Sequence, residues 1–245
     1  KQLTGGLGAG GDPLLGKACA EEDIHLIEEA IGKAELVFIA AGFGGGTGTG
    51  ATPIVARVAK ERGAVVLPVI IMPFKSEGKR MEIAKRGLEE LRKYADTVAL
   101  IWNERLVEVF GFLPTEDALK MGNYTMVTMI KGLTEFMNRM AIVNIDLMDV
   151  RRILARGGIA AICIGEGEGP NKVETAYKMA LSNPLLDVDI RGGEAALIDI
   201  RAGSDVKFQE VVKLVEMISN QLKEGGEIKW GYNTEEELES KIRVT

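Results

Sequence analysis

Three short apolar runs, "ELVFIAA" at 35–41, "AVVLPVIIM" at 64–72 and "TVALIW" at 97–102, do most to restrict what this chain can become. None approaches the roughly 18 consecutive apolar residues that a membrane-spanning helix needs. They are rich in Val, Ile and Leu instead of alternating with polar residues, which is the pattern of strands covered on both faces. Segments of helical period separate them, so strand and helix alternate. That order implies an α/β fold with a Rossmann-like parallel sheet.

The helical segments are 17–33, closed by Gly32; 52–63, with Pro53 in its first turn and Gly63 at its end; 79–94; and 104–110. Residues 115–139 read as one long helix without Pro. Beyond it a second, smaller αβ unit is expected: helices at 146–156, 171–182 and 205–223, and strands at 159–165, 195–200, 227–232 and 240–245. The long helix joins the two halves. A length of 245 residues suits either one large domain or two moderate ones.

Composition removes some functions. The net charge is −6, and no basic cluster offsets it, which argues against a nucleic-acid partner. "KRMEIAKRGLEELRK" at 79–93 mixes both signs at helical spacing and reads as a solvated helix face. Cys19 and Cys163 lie far apart in apolar surroundings, fit no metal-ligand spacing, and read as buried free thiols of a reducing compartment. Direct membrane insertion is not expected, and the protein is expected in the cytoplasm.

Between the first apolar run and the helix expected at 52 stands "GFGGGTGTG", with Gly42, Gly44, Gly45, Gly46, Gly48 and Gly50. A tight turn needing positive φ uses one or two glycines. Six in this place read as a phosphate cradle: bare backbone N–H groups at a helix N-terminus, where the dipole favours negative charge. Thr47 and Thr49 add hydroxyls. A P-loop needs Gly-Lys-Ser/Thr, and there is no lysine between Lys33 and Lys60. The dinucleotide fingerprint wants an acidic residue closing the second strand, which here runs into Met72-Pro73-Phe74-Lys75. A second small-residue stretch, "GGLGAGGDP" at 5–13, precedes another helix start, with Asp12 as cap and Pro13 in the first turn.

"GFGGGTGTGATP" resembles the tubulin signature in the form carried by the FtsZ cell-division GTPases, and the resemblance spans essentially the whole chain in the right order. "LGAGGDP" resembles the loop approaching the γ-phosphate, and "PFKSEGKRM" the segment reaching the ribose and phosphate side. "NERL" at 103–106 resembles the family's Asn-Asp-Lys/Arg-Leu, with Glu104 in place of Asp. "ALKMGN" resembles the guanine-contacting stretch, with Leu119 where the family commonly has Phe. The resemblance thus implies nucleotide contacts from Gly8, Ala9, Gly10, Gly11, Gly44, Gly45, Gly46, Thr47, Gly48, Thr49, Gly50, Glu77, Arg80, Leu119 and Asn123. "NIDLMDVRRIL" at 144–154 resembles the synergy loop, in which Asn144, Asp146 and Asp149 of one subunit complete the site of the next. Taken alone, Asp146 and Asp149 at i, i+3 on a starting helix read as cap and dipole residues. "SNPLLD" at 182–187 and "GEGEG" at 165–169 match the family's second domain and read as structural.

The resemblance implies a GTPase domain at 1–114, a central helix and linker at 115–143, and a C-terminal α/β domain of the GTPase-activating type at 144–245. It implies GTP/GDP with Mg²⁺ carried by the nucleotide and not by direct protein ligands, and assembly-dependent hydrolysis in a head-to-tail homopolymer at the division site. It also implies a preceding strand and Gly-rich loop absent from these residues, and a tail that recruits membrane-tethering proteins. Two alternatives stand beside it: a non-hydrolysing or cell-shape relative, and a dinucleotide-dependent enzyme.

Overall fold

The computed structural model describes residues 3–138, 142–143, 145–182 and 190–245. The chain divides into two compact units, residues 1–126 with 154–160, and residues 127–153 with 161–245.

In the first unit, α1 (Pro13–Glu22) and α2 (Ile24–Ile31) precede β1 (Leu36–Gly42), α3 (Gly46–Glu61), β2 (Val65–Met72), α4 (Gly78–Leu91), β3 (Val98–Trp102) and α5 (Asn103–Phe110). The long α6 (Thr115–Asn138) follows. The strands form one parallel sheet in the order β1-β2-β3-β4, where β4 is only Ile159–Ala160. Every residue of β2 is buried except Ile71, so both sheet faces are covered, as the unbroken apolar run predicts. Val66, Ile70 and Met72 pack with Phe43, Ala56, Ala59, Ala84 and Leu91 in one core. Each large side chain buried there contributes roughly 1.5–3 kcal/mol. Along α4, Met81, Ala84, Gly87 and Leu91 are buried at three- and four-residue spacing. Lys79, Lys85, Arg86 and Arg92 are exposed, as expected of a solvated face.

Several expectations need correction. The helix expected at 17–33 is two helices: Asp23 leaves helical geometry between α1 and α2. The helix expected to begin at 52 begins at Gly46, so most of the glycine run is helical and Pro53 lies in the helix interior. Packing overrides the weak helix propensity of glycine there. A Cβ at residue 50 would stand 2.1 Å from the Pro13 carbonyl oxygen, and one at residue 48 would stand 2.2 Å from that of Gly42. A Cβ at residue 16 of α1 would meet the Gly46 carbonyl oxygen at 2.3 Å, so α1 and α3 touch backbone to backbone. Finally, the strand expected at 159–165 is split between the units, β4 closing the first sheet and β5 (Gly165–Glu168) opening the second.

In the second unit, α7 (Leu147–Leu154) ends at the unit boundary, and α8 (Lys172–Leu181), β6 (Gly193–Ala202), α9 (Phe208–Ser219), β7 (Leu222–Thr234) and β8 (Lys241–Val244) follow. The sheet order is β5-β8-β6-β7, with β6 and β7 parallel and the β8 pairings antiparallel. "GEGEG" is structural: Cβ atoms at residues 165 and 167 would fall within about 2 Å of the Ala176 and Lys172 carbonyl oxygens on α8. Most of "SNPLLD" lies outside the described residues. Both cysteines are free and half-buried instead of fully buried, and burial pushes the Cys163 thiol up to about 11.

The contact between α1 and α3 leaves no room for a methyl group. Gly50→Ala is expected to destabilise the first unit by about 1–3 kcal/mol. The check is the urea midpoint, and an unchanged midpoint contradicts this packing.

Candidate functional site

The carboxyl ends of the parallel strands meet at a cleft of about 400 Å³. Gly42 ends β1, and Phe43 and Gly45 lie in the turn into α3. Ile71 comes from β2, and Pro73, Phe74 and Glu77 from the turn into α4. Arg80 is in the first turn of α4, Asn103 opens α5, and Leu119 lies on α6. Open α/β sheets bind ligands in this position, beyond the carboxyl ends of their strands.

The six glycines do three different jobs. Gly46, Gly48 and Gly50 admit neighbouring backbone. Gly44 has φ +95°, and a Cβ there would crowd Pro73 and Arg80. At Gly42 and Gly45 a Cβ would meet nothing within 4 Å, and both residues line the cleft. The open glycines are therefore the two that face the space where a ligand would lie. Gly45 is also the N-cap of α3, in extended backbone with no side-chain cap. The first N–H groups of α3 have no partner within the helix and carry the positive end of its dipole. An anion against Gly45 meets that end directly.

The two threonines are tied to the loops. The Thr49 hydroxyl, buried, accepts the Gly44 N–H at 2.9 Å and holds the turn. The exposed Thr47 hydroxyl accepts the Ala9 N–H at 3.3 Å. That bond brings Gly8 and Ala9 beside the start of α3, so the two small-residue stretches do meet. Gly10 and Gly11 follow with open space at their Cβ positions. Asp12 then caps α1 by accepting the Leu14 N–H at 2.9 Å, with Pro13 in the first turn, as expected.

On the far side of the cleft, Glu77 pairs with Arg80 and accepts the Phe74 N–H at 2.9 Å, fixing the turn between β2 and α4. The Glu104 carboxylate accepts the Lys75 N–H, which ties that turn to α5. Leu119 is 48% exposed at the cleft edge and offers an apolar surface. Asn123, one helical turn further, is exposed and outside the lining. Gly45, Glu77, Arg80 and Leu119 are thus brought together. Gly42, Phe43, Pro73, Phe74 and Asn103 also line the cleft, each from within a motif singled out above, whereas Ile71 lies outside every such motif and its place at a strand carboxyl end was the available signal.

The acidic pair lies in the second unit. Asp146 accepts the Asp149 N–H at 2.7 Å, as an N-cap does for α7. Asp149 lies 2.8 Å from Lys229 and 3.8 Å from Arg152. Lys229, by hydrogen bond and charge, holds the Asp149 carboxyl below the usual aspartate range, with Arg152 adding to the effect. Asn144 lies outside the described residues. Among the described residues, no group of three or more His, Cys, Asp and Glu is placed to hold a metal ion. No described helix is long and apolar enough to cross a membrane.

Comparison with known proteins matches residues 1–111 to the GTPase-domain model of the Tubulin/FtsZ family. Residues 158–245 match the model of the FtsZ family's C-terminal domain. "Cell division protein FtsZ 1" of Thermococcus kodakarensis is 44% identical over all of this chain and 65% of its own length. The protein of that name from Methanocaldococcus jannaschii is 40% identical over all of this chain and 67% of its own. The solved "FtsZ dimer, empty" of M. jannaschii aligns at a TM-score of 0.90 and 40% identity, covering 100% of this chain and 71% of that one. CetZ from Methanosaeta thermophila aligns at 0.79 and 22% identity over 97% and 68%, a likeness of fold alone. The chain belongs to the FtsZ family, which removes the dinucleotide-dependent enzyme as an alternative. It spans about two-thirds of the length of the curated relatives it matches.

Because Gly45 faces open space in extended backbone, Gly45→Ala is expected to leave the urea midpoint unchanged. It should weaken binding of a nucleoside diphosphate about tenfold, the equivalent of one charge-assisted hydrogen bond. Calorimetric titration checks this, and equal affinity contradicts the cradle.

Proposed function

We propose that this chain is the GTP-binding and GTP-hydrolysing part of a cytoskeletal protein that assembles head-to-tail into filaments for cell division. The observation that carries the reading is the cleft at the strand ends, floored by Gly42 and Gly45 at the uncapped start of α3. It suits a polyphosphate on one side and an apolar ring near Leu119 on the other. The match of residues 1–111 to the GTPase-domain model of the Tubulin/FtsZ family supports guanine as the base.

In this reading the phosphates lie on the α3 N-terminus and on Gly8 to Gly11, Arg80 and Glu77 address the ribose side, and Asn123 offers donor and acceptor to guanine. Thr47, Gly44, Gly46, Gly48, Thr49 and Gly50 hold the cradle in shape. Mg²⁺ bound through the nucleotide supplies neutralisation of phosphate charge. Asn144, Asp146 and Asp149 orient the attacking water, and they do so for the nucleotide of a neighbouring subunit. A heterologous contact of that kind, where it does not close into a ring, gives filaments. The domains divide at 1–114, 115–143 and 144–245. The protein acts in the cytoplasm at the division site, with tethering partners recruited through a tail.

Asp149→Ala is expected to lower GTP turnover by about 100-fold with nucleotide affinity unchanged, the scale for losing one preorganised electrostatic contact. Parent turnover per subunit should rise with protein concentration. Undiminished turnover in the variant, or parent turnover independent of concentration, contradicts the reading.

A further inference from the structure

The segment carrying the acidic pair runs along β7 and is attached to it at three levels. Val143 bridges Tyr232 through backbone hydrogen bonds in both directions, at 3.2 and 3.0 Å. Lys229 meets Asp149 at 2.8 Å, and Glu227 pairs with Arg152. The order 143, 149, 152 matches 232, 229, 227, so the segment runs antiparallel to the strand. A Cβ at residue 231 would stand 2.9 Å from the Val143 carbonyl oxygen, so the close approach at the first level depends on Gly231.

The charges set the register. Residues 227 and 229 share one face of the strand, and Asp149 and Arg152 share one face of α7. Minus meets plus at both crossings, and exchanging the two would oppose like charges. Among the described residues, the charged groups of its own segment that interact with Asp149 are Arg152 and Asp146, which accepts the Asp149 N–H. From β7 the facing groups are Lys229 and Glu227.

We propose that Lys229 is a positioning residue for Asp149, holding it as a carboxylate in one place on α7 so that it is presented ready-formed to the nucleotide of a neighbouring subunit. This rests on the proposed role of Asp149 in hydrolysis. A pair with a protonated Asp149 loses its attraction, so Lys229 favours the ionised form. Without Lys229, Asp149 takes up its proton at higher pH, and turnover that needs the carboxylate falls off at higher pH as well.

The test compares Lys229→Gln, Lys229→Arg and Asp149→Ala in the full-length protein. Lys229→Gln is expected to lower kcat about fivefold, the scale of a partly exposed ion pair, with unchanged GDP affinity. It should also move the acid side of the pH–rate profile upward, and Lys229→Arg should restore most of both. Carbon-13 titration of the Asp149 carboxyl gives a readout independent of turnover and should shift upward in Lys229→Gln. An unshifted carboxyl titration, or parent-like kcat and pH profile in Lys229→Gln while Asp149→Ala loses turnover, overturns the role of Lys229 alone. Undiminished turnover in Asp149→Ala overturns the underlying reading, and the role of Lys229 with it.

Discussion

The first turns of α3 lie against bare backbone: Pro13 and Gly16 of α1 on one side, and Gly42 at the end of β1 on another. Gly87 of α4 makes room for Thr49, since a Cβ there would stand 2.2 Å from the Thr49 methyl. Backbone can approach backbone in this way only where side chains are missing. The rest of the first unit follows from that contact. It sets the helix start at Gly46 and leaves Gly45 as an uncapped N-terminus. It turns Gly42 and Gly45 toward the cleft and brings Thr47 within reach of the Ala9 N–H. Packing uses Gly46, Gly48 and Gly50, while Gly42 and Gly45 of the same run are left facing the open cleft.

The second unit solves a different problem, that of holding charged side chains in place near its surface. A 24-residue helix leads into it, and the short α7 is only 8 residues long. An isolated helix of that length is unstable in water. Its N-cap from Asp146 and its ion pairs to β7 compensate for its length. The same strand supplies Tyr232 to the backbone just before it. Fixing the helix and orienting the acidic pair are therefore one structural task.

Much of this was legible in the residues. The unbroken apolar runs marked β1, β2 and β3 within a residue or so, because burial on both faces leaves no polar alternation to confuse the pattern. Asp12 and Pro13 marked the start of α1 by cap chemistry alone. The start of α3 was not legible. Glycine favours loops by propensity, and only the neighbouring backbone of α1 and β1 makes Gly46 to Gly50 helical. The run at 159–165 was apolar throughout, so nothing in it announced that β4 would end at Ala160 and β5 begin at Gly165. The cleft was largely legible: Gly45, Glu77, Arg80 and Leu119 came from motifs, whereas Ile71 is an ordinary apolar residue that matters by position. The partners of Asp149 and Arg152 lie some 75 to 80 residues away in sequence, and no local pattern points to Lys229 or Glu227.

The central claim is that a nucleotide bound at the glycine cleft of one subunit is hydrolysed with the Asp149 of another. Mixing two inactive proteins tests it most directly. Asp149→Ala keeps the cleft and lacks the acid, and Gly45→Val keeps the acid and obstructs the cleft. The account predicts that the mixture turns over GTP well above the sum of the two alone, because one contact in the mixed filament joins an intact cleft to an intact Asp149. Turnover no greater than that sum, under conditions where both proteins are folded and co-assemble, would contradict it.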